Sequence, residues 1–390
     1  MRIVHVCLNG PYTEGFGYQE NLLTKYHKHL GHEVIILAND CKWITFGQMR
    51  CSRVKENYTN ENGIQVRRLI PVFGTLGRKL GIYSGFFRML KELRPDVIFF
   101  HGPQSLSILS AVKYKKKINP RAFILVDNHA DWTNSARNFF SRNVLHKGIW
   151  RFVIKMAEPY VEKFYGVLPL RCDFLRQVYK ISESKIELLL MGADDEELIL
   201  DKERRNQIRK EIREKLKVEQ SDFLVITGGK IDKSKWQTLL LMKAVTKLEE
   251  LPLKLVIFGT VDKELKTEFD KLLNSDRIIY IGWLNQKQIY EYLVASDFAV
   301  FPGRHSVLWE QVVALGIPAA FKYIPGHQHV DLGGNCVFLY EDSEEEIVNV
   351  LRKVVTDKAL YQGMLEVAMK NGPNVFSYSK IAERSLKVFT

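Results

Sequence analysis

Long hydrophobic runs are missing from this chain of 390 residues. The longest extend over four to six residues, as in VIFF at 97–100. A membrane-spanning helix needs about 20 apolar residues, so none is expected. The apolar start MRIVHVCLNGPY (1–12) is too short for the core of a secretion signal and predicts a first buried strand. The chain is therefore expected to be cytoplasmic.

Cysteine is scarce, and low-complexity tracts are missing. The five cysteines are scattered, with no C-x-x-C pair, and predict neither a disulfide framework nor a zinc site. There is no Gly/Ser-rich or Pro-rich tract and no repeat of solenoid period. With 46% apolar and 26% charged residues, the composition is that of a folded enzyme. The cysteines are at positions 7, 41, 51, 172 and 336.

Negative charge is sparse in the first half. Residues 1–190 hold 29 Lys and Arg against 15 Asp and Glu, a net charge of +14, whereas residues 191–390 carry −2. A solvated basic surface would explain this, but so complete an asymmetry favours an anionic partner, such as a membrane surface, a phosphorylated acceptor or nucleic acid. No aromatic–basic RNA motif or recognition helix stands out, so nucleic-acid binding is not predicted.

Apolar, strand-like runs alternate with helical segments along the whole chain. This alternation predicts βαβ units and parallel sheets, and 390 residues exceed one ordinary core. We expect two doubly wound α/β halves with a boundary near 190–200, followed by a charged helix over 202–217. The strand-like runs are RIVHVCL (2–8), EVIILAN (33–39), DVIFFHG (96–102), AFILVDN (122–128), FLVITGG (223–229), LKLVIFG (253–259), RIIYIGW (277–283) and DFAVFPG (297–303).

The loop after the first strand, residues 9–18, is rich in glycine. Gly10, Gly15 and Gly17 precede a helix that is predicted to begin near Tyr18. Glycines before a helix N-terminus let backbone N–H groups approach a phosphate, which the helix dipole also favours. The spacing is not G-x-G-x-x-G, so a plain turn is an equally good interpretation.

The loop that opens the second half, TGGKIDKSKW (227–236), carries lysines around a Gly-Gly turn. The ammonium groups of Lys230 and Lys235 would suit a diphosphate. The spacing is not that of a Walker A loop. Because lysines in surface loops are mostly solvated, both interpretations stay open.

A third loop, FPGRHSVLWEQVVALGIP (301–318), places Glu310 in a stretch without other negative charge. Glu310 would stabilise a helix N-terminus in the simplest interpretation. If the other two loops hold phosphates, its carboxylate would instead accept hydrogen bonds from a ribose diol. The N–H groups of His305, Ser306 and Val307 would then face the diphosphate. We favour the second interpretation.

Six motifs in a fixed order resemble the GT-B glycosyltransferases of family 4 over nearly the whole chain. Each motif is weak alone, but the order is specific. The resemblance implies two Rossmann-like domains facing a cleft: residues 1–192 bind the acceptor, 193–372 bind the nucleotide sugar, and 373–390 form a helix that returns to the first domain. The motifs are GPYTEGFG (10–17), GADDEEL (192–198), GGKIDKSKW (228–236), IGWLNQKQIYEYLVASDFAVFPG (281–303), WEQVVALGIPAA (309–320) and FSYSKIAERSLKVF (376–389).

The resemblance implies a donor site for a nucleotide diphosphate sugar. Lys230 stands where the family has the arginine of a Gly-Arg pair, and Lys235 matches its lysine. Both would hold the diphosphate, and Gly15 and Gly17 would approach the donor from the first domain. Residues 282–284 lie where the base is held by backbone groups, which assigns Gly282 and Leu284 to the donor site.

Glu310 matches the second glutamate of the family's E-x7-E motif, which binds the ribose. The first glutamate of that motif contacts the donor sugar in the family, but Pro302 stands in its place here. This departure puts the identity of the sugar, and activity itself, in question. Arg304 or His305 would have to replace the missing group.

His129, in VDNHADWTN (126–134), follows a strand of the first half. A single histidine is more often structural than catalytic. This one matches the family's histidine close to the reacting sugar, which implies a catalytic contact with the donor sugar or with the developing charge. Asp131 would orient His129 or meet the acceptor.

The resemblance implies a transferase that retains anomeric configuration and needs neither metal nor cofactor, because basic side chains and helix N-termini neutralise the leaving diphosphate. No D-x-D pair is present to carry Mg²⁺. The predicted reaction moves a sugar from a nucleotide diphosphate sugar, UDP-linked in the first instance, to a hydroxyl of a lipid-linked or cell-surface glycan in polysaccharide biosynthesis.

Two basic segments, 77–93 and 136–156, mix Lys and Arg with large apolar residues at helical spacing. Surface-bound amphipathic helices have this pattern, and so do ordinary core helices with basic outer faces. Together with the charge of the first half, the pattern favours peripheral binding to the anionic inner face of the plasma membrane.

Two rival functions follow from the same residues. A non-catalytic partner that binds a UDP-sugar for another glycosyltransferase would explain Pro302. An epimerase or phosphorylase of GT-B fold would need its own acid–base groups, and no clear set is present.

Overall fold

The chain folds into two compact units. In the computed structural model, which describes residues 1–45, 48–198 and 201–389, unit 1 holds Met1–Met191 with Ile381–Thr390, and unit 2 holds Gly192–Lys380. The predicted domain boundaries are after residues 192 and 372. Position 390, the end of the predicted last segment, and positions 199–200 of the boundary region lie outside the described residues.

Unit 1 is built on a mainly parallel sheet. The strands of unit 1 are β1 (Arg2–Cys7), β2 (Glu33–Asn39), β3 (Cys41–Thr45), β4 (Gln48–Cys51), β5 (Asn57–Thr59), β6 (Gln65–Leu69), β7 (Val97–His101), β8 (Phe123–Asn128), β9 (Lys163–Gly166) and β10 (Ile186–Leu188). β3 and β4 form a separate two-stranded sheet. The sheet order is β10-β9-β8-β7-β1-β2-β6-β5, with β5 antiparallel to β6 and the other neighbours parallel. The order in which the chain adds strands to the sheet reverses between the parallel neighbours β1 and β7. In such a sheet, ligands bind at the carboxyl ends of the strands at this point.

Helices cover this sheet. They are α1 (Gln19–His29), α2 (Gly74–Leu80), α3 (Phe86–Leu93), α4 (Ser107–Lys117), α5 (Arg151–Ala157) and α6 (Pro169–Phe174), with π-helical segments over Phe140–Trp150 and Leu175–Tyr179 and 3₁₀ turns over Glu158–Tyr160 and Glu183–Lys185. β1, β7 and β8 are almost wholly buried, as expected of parallel strands that are covered on both faces.

The basic segment 77–93 does not form one surface helix. Gly81 and Gly85 adopt left-handed backbone conformations with φ of 65° and 78°, and these end α2 and begin α3. Phe86, Leu90 and Leu93 of α3 are buried in the core, and Phe87 and Met89 pack against it. For this segment the interpretation as a core helix is correct, because the glycines break the helical repeat on which the surface interpretation depended.

The expectation that the cysteines form no disulfide is wrong. Cys41 and Cys51 lie directly opposite each other in the antiparallel pair β3–β4 and are joined by a disulfide. Their separation of ten positions matches no C-x-x-C pattern; only the hairpin brings them together. Cys7, Cys172 and Cys336 are free and buried.

Unit 2 contains a fully parallel sheet. Its strands are β11 (Phe223–Ile231), β12 (Leu253–Val261), β13 (Ile278–Gly282), β14 (Phe298–Phe301), β15 (Ala319–Lys322) and β16 (Cys336–Leu339). The order is β13-β12-β11-β14-β15-β16, which is the dinucleotide-binding order with its reversal between β11 and β14. Its helices are α7 (Asp195–Leu198), α8 (Lys202–Leu216), α9 (Thr238–Lys247), α10 (Lys263–Leu272), α11 (Gln286–Ala295), α12 (Leu308–Ala314), α13 (Glu344–Thr356) and α14 (Lys358–Val375), with 3₁₀ turns over Lys233–Lys235 and Gln328–Val330.

The last helix, α15 (Tyr378–Ser385), is followed by a 3₁₀ turn over Lys387–Phe389. Its end packs in unit 1, where the backbone carbonyl of Ser385 accepts a hydrogen bond from the Tyr165 hydroxyl at 2.9 Å. Arg384 donates to the backbone carbonyl of Leu188 at 2.9 Å.

All eight predicted strands are present, as β1, β2, β7, β8 and β11 to β14. The predicted doubly wound α/β class is confirmed. The charged helix predicted over 202–217 is α8, where Arg209 and Arg213 bond to the carboxylate of Asp297, so its charges have a structural use. In the described part of the chain, no helix combines the length and apolar character required to cross a membrane.

Candidate functional site

The carboxyl ends of β11 and β14 lie side by side in unit 2, since these strands pair in parallel at Val225–Phe298 and Ile226–Ala299. The loop after β11 leads into the 3₁₀ turn over Lys233–Lys235, and the loop after β14 leads into α12. Two of the loops selected from the sequence therefore meet at the ligand-binding edge of the sheet.

The first of these loops is shaped by Asp232. Its carboxylate accepts hydrogen bonds from the backbone N–H of Ser234 at 2.9 Å and from the Ser234 hydroxyl at 2.6 Å, while the Nζ of Lys230 lies 3.5 Å from it. Lys235 folds back over the strand end, so that a Cβ on Gly229 would lie 3.3 Å from its Nζ. Burial lowers the pKa of Lys235 to about 8, despite the nearby Asp232 carboxylate.

Glu310, in the first turn of α12, is completely buried. One carboxylate oxygen, Oε1, accepts from His305 Nε2 at 2.9 Å and from His329 Nε2 at 2.7 Å. The other, Oε2, has no hydrogen-bond partner among the residues that the structure describes. Burial alone would raise the pKa of Glu310, but the two histidines outweigh it and hold the pKa far below its usual range. The side chain is thus a buried carboxylate with one unused oxygen.

Glu310 does lie in the first turn of α12, where the helix dipole favours a carboxylate, but its side chain does not cap the backbone of the helix. The N-terminus of α12 has no side-chain cap, and the Glu310 carboxylate is engaged with histidines instead. The neighbouring Trp309 fixes the start of this helix, because its buried ring stacks on Phe321 with centroids 4.7 Å apart. The ring of His305 contacts Trp309 edge-on at 5.0 Å.

The predicted donor-site residues of unit 2 lie at the carboxyl ends of its parallel strands or just beyond them. Lys230 is in the last positions of β11 and Gly282 ends β13. The buried Leu284 follows just beyond β13. The loop after β14 supplies His305, Ser306 and Val307, and the first N–H groups of a helix have no intrahelical partner.

His329 was missed by the sequence analysis. It lies in the 3₁₀ turn over Gln328–Val330, beyond β15. The only sequence signal is the pair His327 and His329 in GHQHV, which is too weak to indicate a contact with Glu310, 19 positions away.

The glycine loop of unit 1 is less clearly a ligand site. Gly15 has a left-handed φ of 74°, and its backbone N–H donates to the Glu61 carboxylate at 3.0 Å. Gly17 precedes α1, whose N-cap is Tyr18. The binding of a donor by either glycine stays a prediction.

His129 follows β8 and lies beside Asp127, which the sequence analysis did not select. Its Nε2 is 3.3 Å from Asp127 Oδ1, without the alignment of a hydrogen bond. Asp127 is completely buried and accepts from the Gly102 N–H at 3.0 Å and from His101 Nδ1 at 2.7 Å. Burial would raise the pKa of Asp127, but His101 and His129 lower it far below its usual range.

Asp131 does not orient His129. Its Oδ1 accepts hydrogen bonds from the N–H and hydroxyl of Thr133 and from the N–H of Asn134 at 2.6–2.9 Å, and Oδ2 accepts from Arg171 Nε at 3.2 Å. These contacts stabilise the turn after β8. Asp127 is the carboxylate beside His129, and the role of Asp131 toward an acceptor stays a prediction.

Three groups of side chains among the described residues have the composition of a metal site. One of them, Asp40 with Cys41 and Cys51, contains the disulfide-bonded pair, and the other two consist of histidines and a carboxylate. In each, one donor atom per side chain lies within 4.8 Å of the others. The closest nitrogen–oxygen distance is 2.7 Å in both histidine groups, which is an ordinary hydrogen-bond distance. Both groups are therefore accounted for as histidine–carboxylate hydrogen bonds, and catalysis without a metal stays a prediction. The histidine groups are His305, Glu310, His329 and His101, Asp127, His129.

Residues 208–370 match the family model described as glycosyl transferases group 1. The match covers the parallel sheet of unit 2 and the loops described above. The predicted enzyme class, a glycosyltransferase, is confirmed; the likeness to group 1 rests on these residues of unit 2, and assignment to family 4 stays a prediction. No curated protein sequence matches the chain.

Solved structures share the fold of the whole chain at low sequence identity. Sucrose-phosphate synthase from Thermosynechococcus elongatus superposes with a TM-score of 0.72 at 13% identity, over 100% of this chain and 98% of that one. HepE from Anabaena in complex with UDP-glucose gives 0.69 at 13%, over 100% and 99%. WaaG, a glycosyltransferase involved in lipopolysaccharide biosynthesis, gives 0.67 at 14%, over 99% of each chain. The GT-B fold is thereby confirmed.

Proposed function

We propose that this protein transfers a sugar from a UDP-linked donor to an acceptor hydroxyl, with the nucleotide held by unit 2. The observation that carries the proposal is Oε2 of Glu310, a buried carboxylate oxygen without a hydrogen-bond partner among the described residues. Such an oxygen is costly unless a donor reaches it. A ribose hydroxyl supplies that donor, at the strand edge where nucleotides bind in this sheet order.

The diphosphate is proposed to lie against Lys230 and Lys235. Lys235 is partly buried, and a phosphate beside it would favour the ammonium form that burial disfavours. The free N–H groups at the start of α12 add partial positive charge. Together these groups would neutralise the leaving UDP without a metal.

The acceptor is proposed to be a glycan or a lipid-linked glycan, as in polysaccharide biosynthesis. HepE holds UDP-glucose, and WaaG acts in lipopolysaccharide biosynthesis; the likeness of fold supports the proposal without extending those substrates to this chain. We further propose that transfer retains anomeric configuration and that His129 acts at the donor sugar, supported by its partly exposed ring beside the buried Asp127.

Calorimetric titration with UDP, GDP and ADP tests the nucleotide site. We expect wild type to prefer UDP, and Glu310→Gln and Lys235→Ala to weaken UDP binding by about tenfold or more, as the loss of a charge-assisted contact predicts. Lys233→Ala is the matched control, since Lys233 lies in the same turn but is 80% exposed and pairs with Glu264. Wild type that binds no nucleotide would overturn the proposal.

A non-catalytic UDP-sugar-binding partner is the second candidate, and one observation favours it. The position of the family's first glutamate holds Pro302, and His305, one of the two residues predicted to replace that glutamate, donates to Glu310 instead, which leaves Arg304 as the other candidate. Sugar release from UDP-sugars, followed by the anomeric NMR signal of the product, separates the two. UDP binding without turnover on any donor and acceptor would favour the non-catalytic role.

We also propose that unit 1 docks peripherally on an anionic membrane surface at the cytoplasmic face. Around the π-helical segment, six large apolar side chains are exposed, with Phe139 at 79% and Phe152 at 68%. The opposite side of the same segment is anchored, since Trp150, Val153 and Ile154 lie in the core. The exposed set is Phe139, Phe140, Val144, Ile149, Phe152 and Met156.

The helix type supports this docking face. A π-helix repeats through i→i+5 bonds, so Val144 and Ile149 in the π-helical part share one side. Phe152 and Met156, four positions apart, share a side of α5. Exposed Arg142 and Lys147 accompany them, which suits anionic headgroups.

Vesicle co-sedimentation tests the docking face. We expect binding to phosphatidylglycerol vesicles at low salt, reduced by high salt, and lost in the double variant Phe140→Ser/Phe152→Ser. Met369→Ser is the control, because Met369 is 57% exposed in unit 2. Equal binding by wild type and the double variant would reject this face.

A further inference from the structure

Three histidines form a continuous hydrogen-bonded chain inside unit 1. His5 lies in β1, His101 ends β7, and His27 lies in α1. His5 Nδ1 is 2.9 Å from His101 Nε2, and His5 Nε2 is 2.9 Å from His27 Nδ1. All three are buried, and the ring of Phe99 packs on them with centroids 5.2–6.2 Å away. Both ring nitrogens of each histidine are therefore used in a water-poor core.

The two ends of the chain are fixed by groups of known character. At one end His101 Nδ1 lies 2.7 Å from the Asp127 carboxylate, which can only accept. At the other end His27 Nε2 lies 2.8 Å from the Ser385 hydroxyl. That hydroxyl has one proton, and it donates it to the carbonyl of Ala382 at 2.8 Å. Ser385 must then accept from His27.

Counting hydrogens gives the charge of the chain. Four hydrogen bonds join Ser385, His27, His5, His101 and Asp127, and each needs one hydrogen from an imidazole nitrogen. Three neutral imidazoles carry one N–H each, three in total. The fourth hydrogen makes one of the three histidines an imidazolium, which balances the charge of Asp127.

The position of that charge follows from its neighbours. Burial lowers the pKa of His5, and the neighbouring His27 and His101 add to this. Burial, with a smaller contribution from His32, also lowers the pKa of His27 to about 3, against the opposing effect of the Ala382 carbonyl. Burial also opposes charge on His101, but Asp127, with a smaller contribution from Glu20, raises its pKa above the ordinary value. Hydrogen-bond donation then runs in one direction: His101 donates to His5, His5 donates to His27, and His27 donates to Ser385.

We propose that His101 is a positioning residue that stays protonated in the folded protein and holds Asp127 as a fixed carboxylate beside His129. His5 supports this role because its Nδ1 accepts a hydrogen bond from His101, and His27 supports it by accepting from the Nε2 of His5. Ser385 of α15 sets the direction: if its hydroxyl donated to His27 instead, three neutral imidazoles would satisfy every bond and His101 would lose its charge. The charge assignment stands alone, whereas its use in sugar transfer rests on the proposed function.

Nitrogen-15 NMR of histidine-labelled full-length protein tests the charge assignment without substrate. We expect His101 to keep two protonated nitrogens at pH values above its ordinary midpoint of about 6.5, and His5 and His27 to show the Nε2–H tautomer. Signals are assigned by loss in His101→Asn and His27→Gln, with the exposed His29→Gln on the same helix as the control. Three neutral histidines at neutral pH would overturn the proposal.

Ser385→Ala and Ser385→Thr test the direction of the chain. Removal of the hydroxyl should lower the midpoint for His101, and threonine should restore it. With a UDP-sugar assay, His101→Asn should move the acid limb of the kcat profile upward by about one pH unit or more, because Asp127 loses its cation. A charged His101 with no turnover in wild type would reject the proposed function alone. An unchanged profile in an active His101→Asn variant would reject the positioning role.

Discussion

Gly303 lies against the backbone of Lys235, so closely that a Cβ at position 303 would be 2.8 Å from the Lys235 Cα. The backbone N–H of Arg304 also donates to the carbonyl of Ser234 at 3.2 Å. The loop after β14 and the loop after β11 are therefore built as one surface. The position of Lys235, which is proposed to bind the diphosphate, therefore depends on the absence of a side chain at Gly303 in the other loop.

Gly303→Ala should displace Lys235 and weaken UDP binding more than it weakens the fold. Overpacking of this kind destabilises a folded protein by about 1–3 kcal/mol. We expect the loop that carries Lys235 to shift and relieve most of the strain, so that the rest of the fold is little affected. Gly363→Ala is the control, because no atom lies within 4 Å of a Cβ there and it lies within α14, where alanine favours the helix by up to about 1 kcal/mol. UDP titration and thermal unfolding of both variants give the comparison. Unchanged UDP affinity in Gly303→Ala would contradict the coupling of the two loops.

UDP affinity should fall as the pH rises through the pKa of Lys235. Because burial lowers that pKa to about 8, the ammonium form that pairs with phosphate is lost in mildly alkaline solution. An arginine stays protonated there, so Lys235→Arg should bind UDP with little dependence on pH over the same interval. Titrations from about pH 7 to about pH 9 compare the two proteins, and the variant corrects for ionisation of the nucleotide. Parallel pH profiles would show that Lys235 is not the titrating group.

The disulfide between Cys41 and Cys51 should be found in oxidised protein and should stabilise unit 1. Closing a loop of about ten residues restricts the unfolded chain and is worth about 2–3 kcal/mol. Peptide mass spectrometry with and without reductant detects the pair. The double variant Cys41→Ser/Cys51→Ser should unfold at lower urea concentration, whereas Cys336→Ser, at a free cysteine, serves as control. Equal urea midpoints with and without reductant would contradict a stabilising bond.

The strands that were predictable from the sequence are those buried on both faces. β7 reads VIFFH and β8 reads FILVDN, and such continuous apolar runs identify central parallel strands. β5 reads NYT and β10 reads IEL, with partly exposed residues. Strands this short at the sheet edges carry too little pattern to be distinguished from loops.

The candidate site was predictable only in part, for a similar reason. Lys235 and Glu310 belong to motifs that lie directly after strands, so their positions follow from the strand pattern. The residues of the histidine chain that ends at Asp127 are far apart in sequence: His5 and His101 are separated by 96 positions, and His27 and Ser385 by 358. Only the packing of strands and helices in three dimensions brings them together.

The same buried histidines should make the fold sensitive to acid. His27, with a pKa of about 3 when folded, and His5, well below its usual value, stay neutral in the folded protein, whereas in the unfolded chain both take up a proton near pH 6.5. The unfolded state therefore binds more protons as the pH falls, and the free energy of unfolding drops by about 1.4 kcal/mol per pH unit for each histidine.

Urea unfolding at about pH 7, 6 and 5 measures this slope. His27→Gln should be less stable at neutral pH, because the chain is broken, yet its stability should fall less steeply toward acid by about 1.4 kcal/mol per pH unit. His101 acts in the opposite sense: its raised pKa means that its contribution is full below about pH 6.5 and is lost only as the pH rises through the folded value. His101→Asn should therefore lose more stability at pH 6 than at pH 9. If His27→Gln and wild type had equal slopes, His27 would have to be protonated in the folded protein, and the excess proton of the chain would lie on α1 rather than beside Asp127.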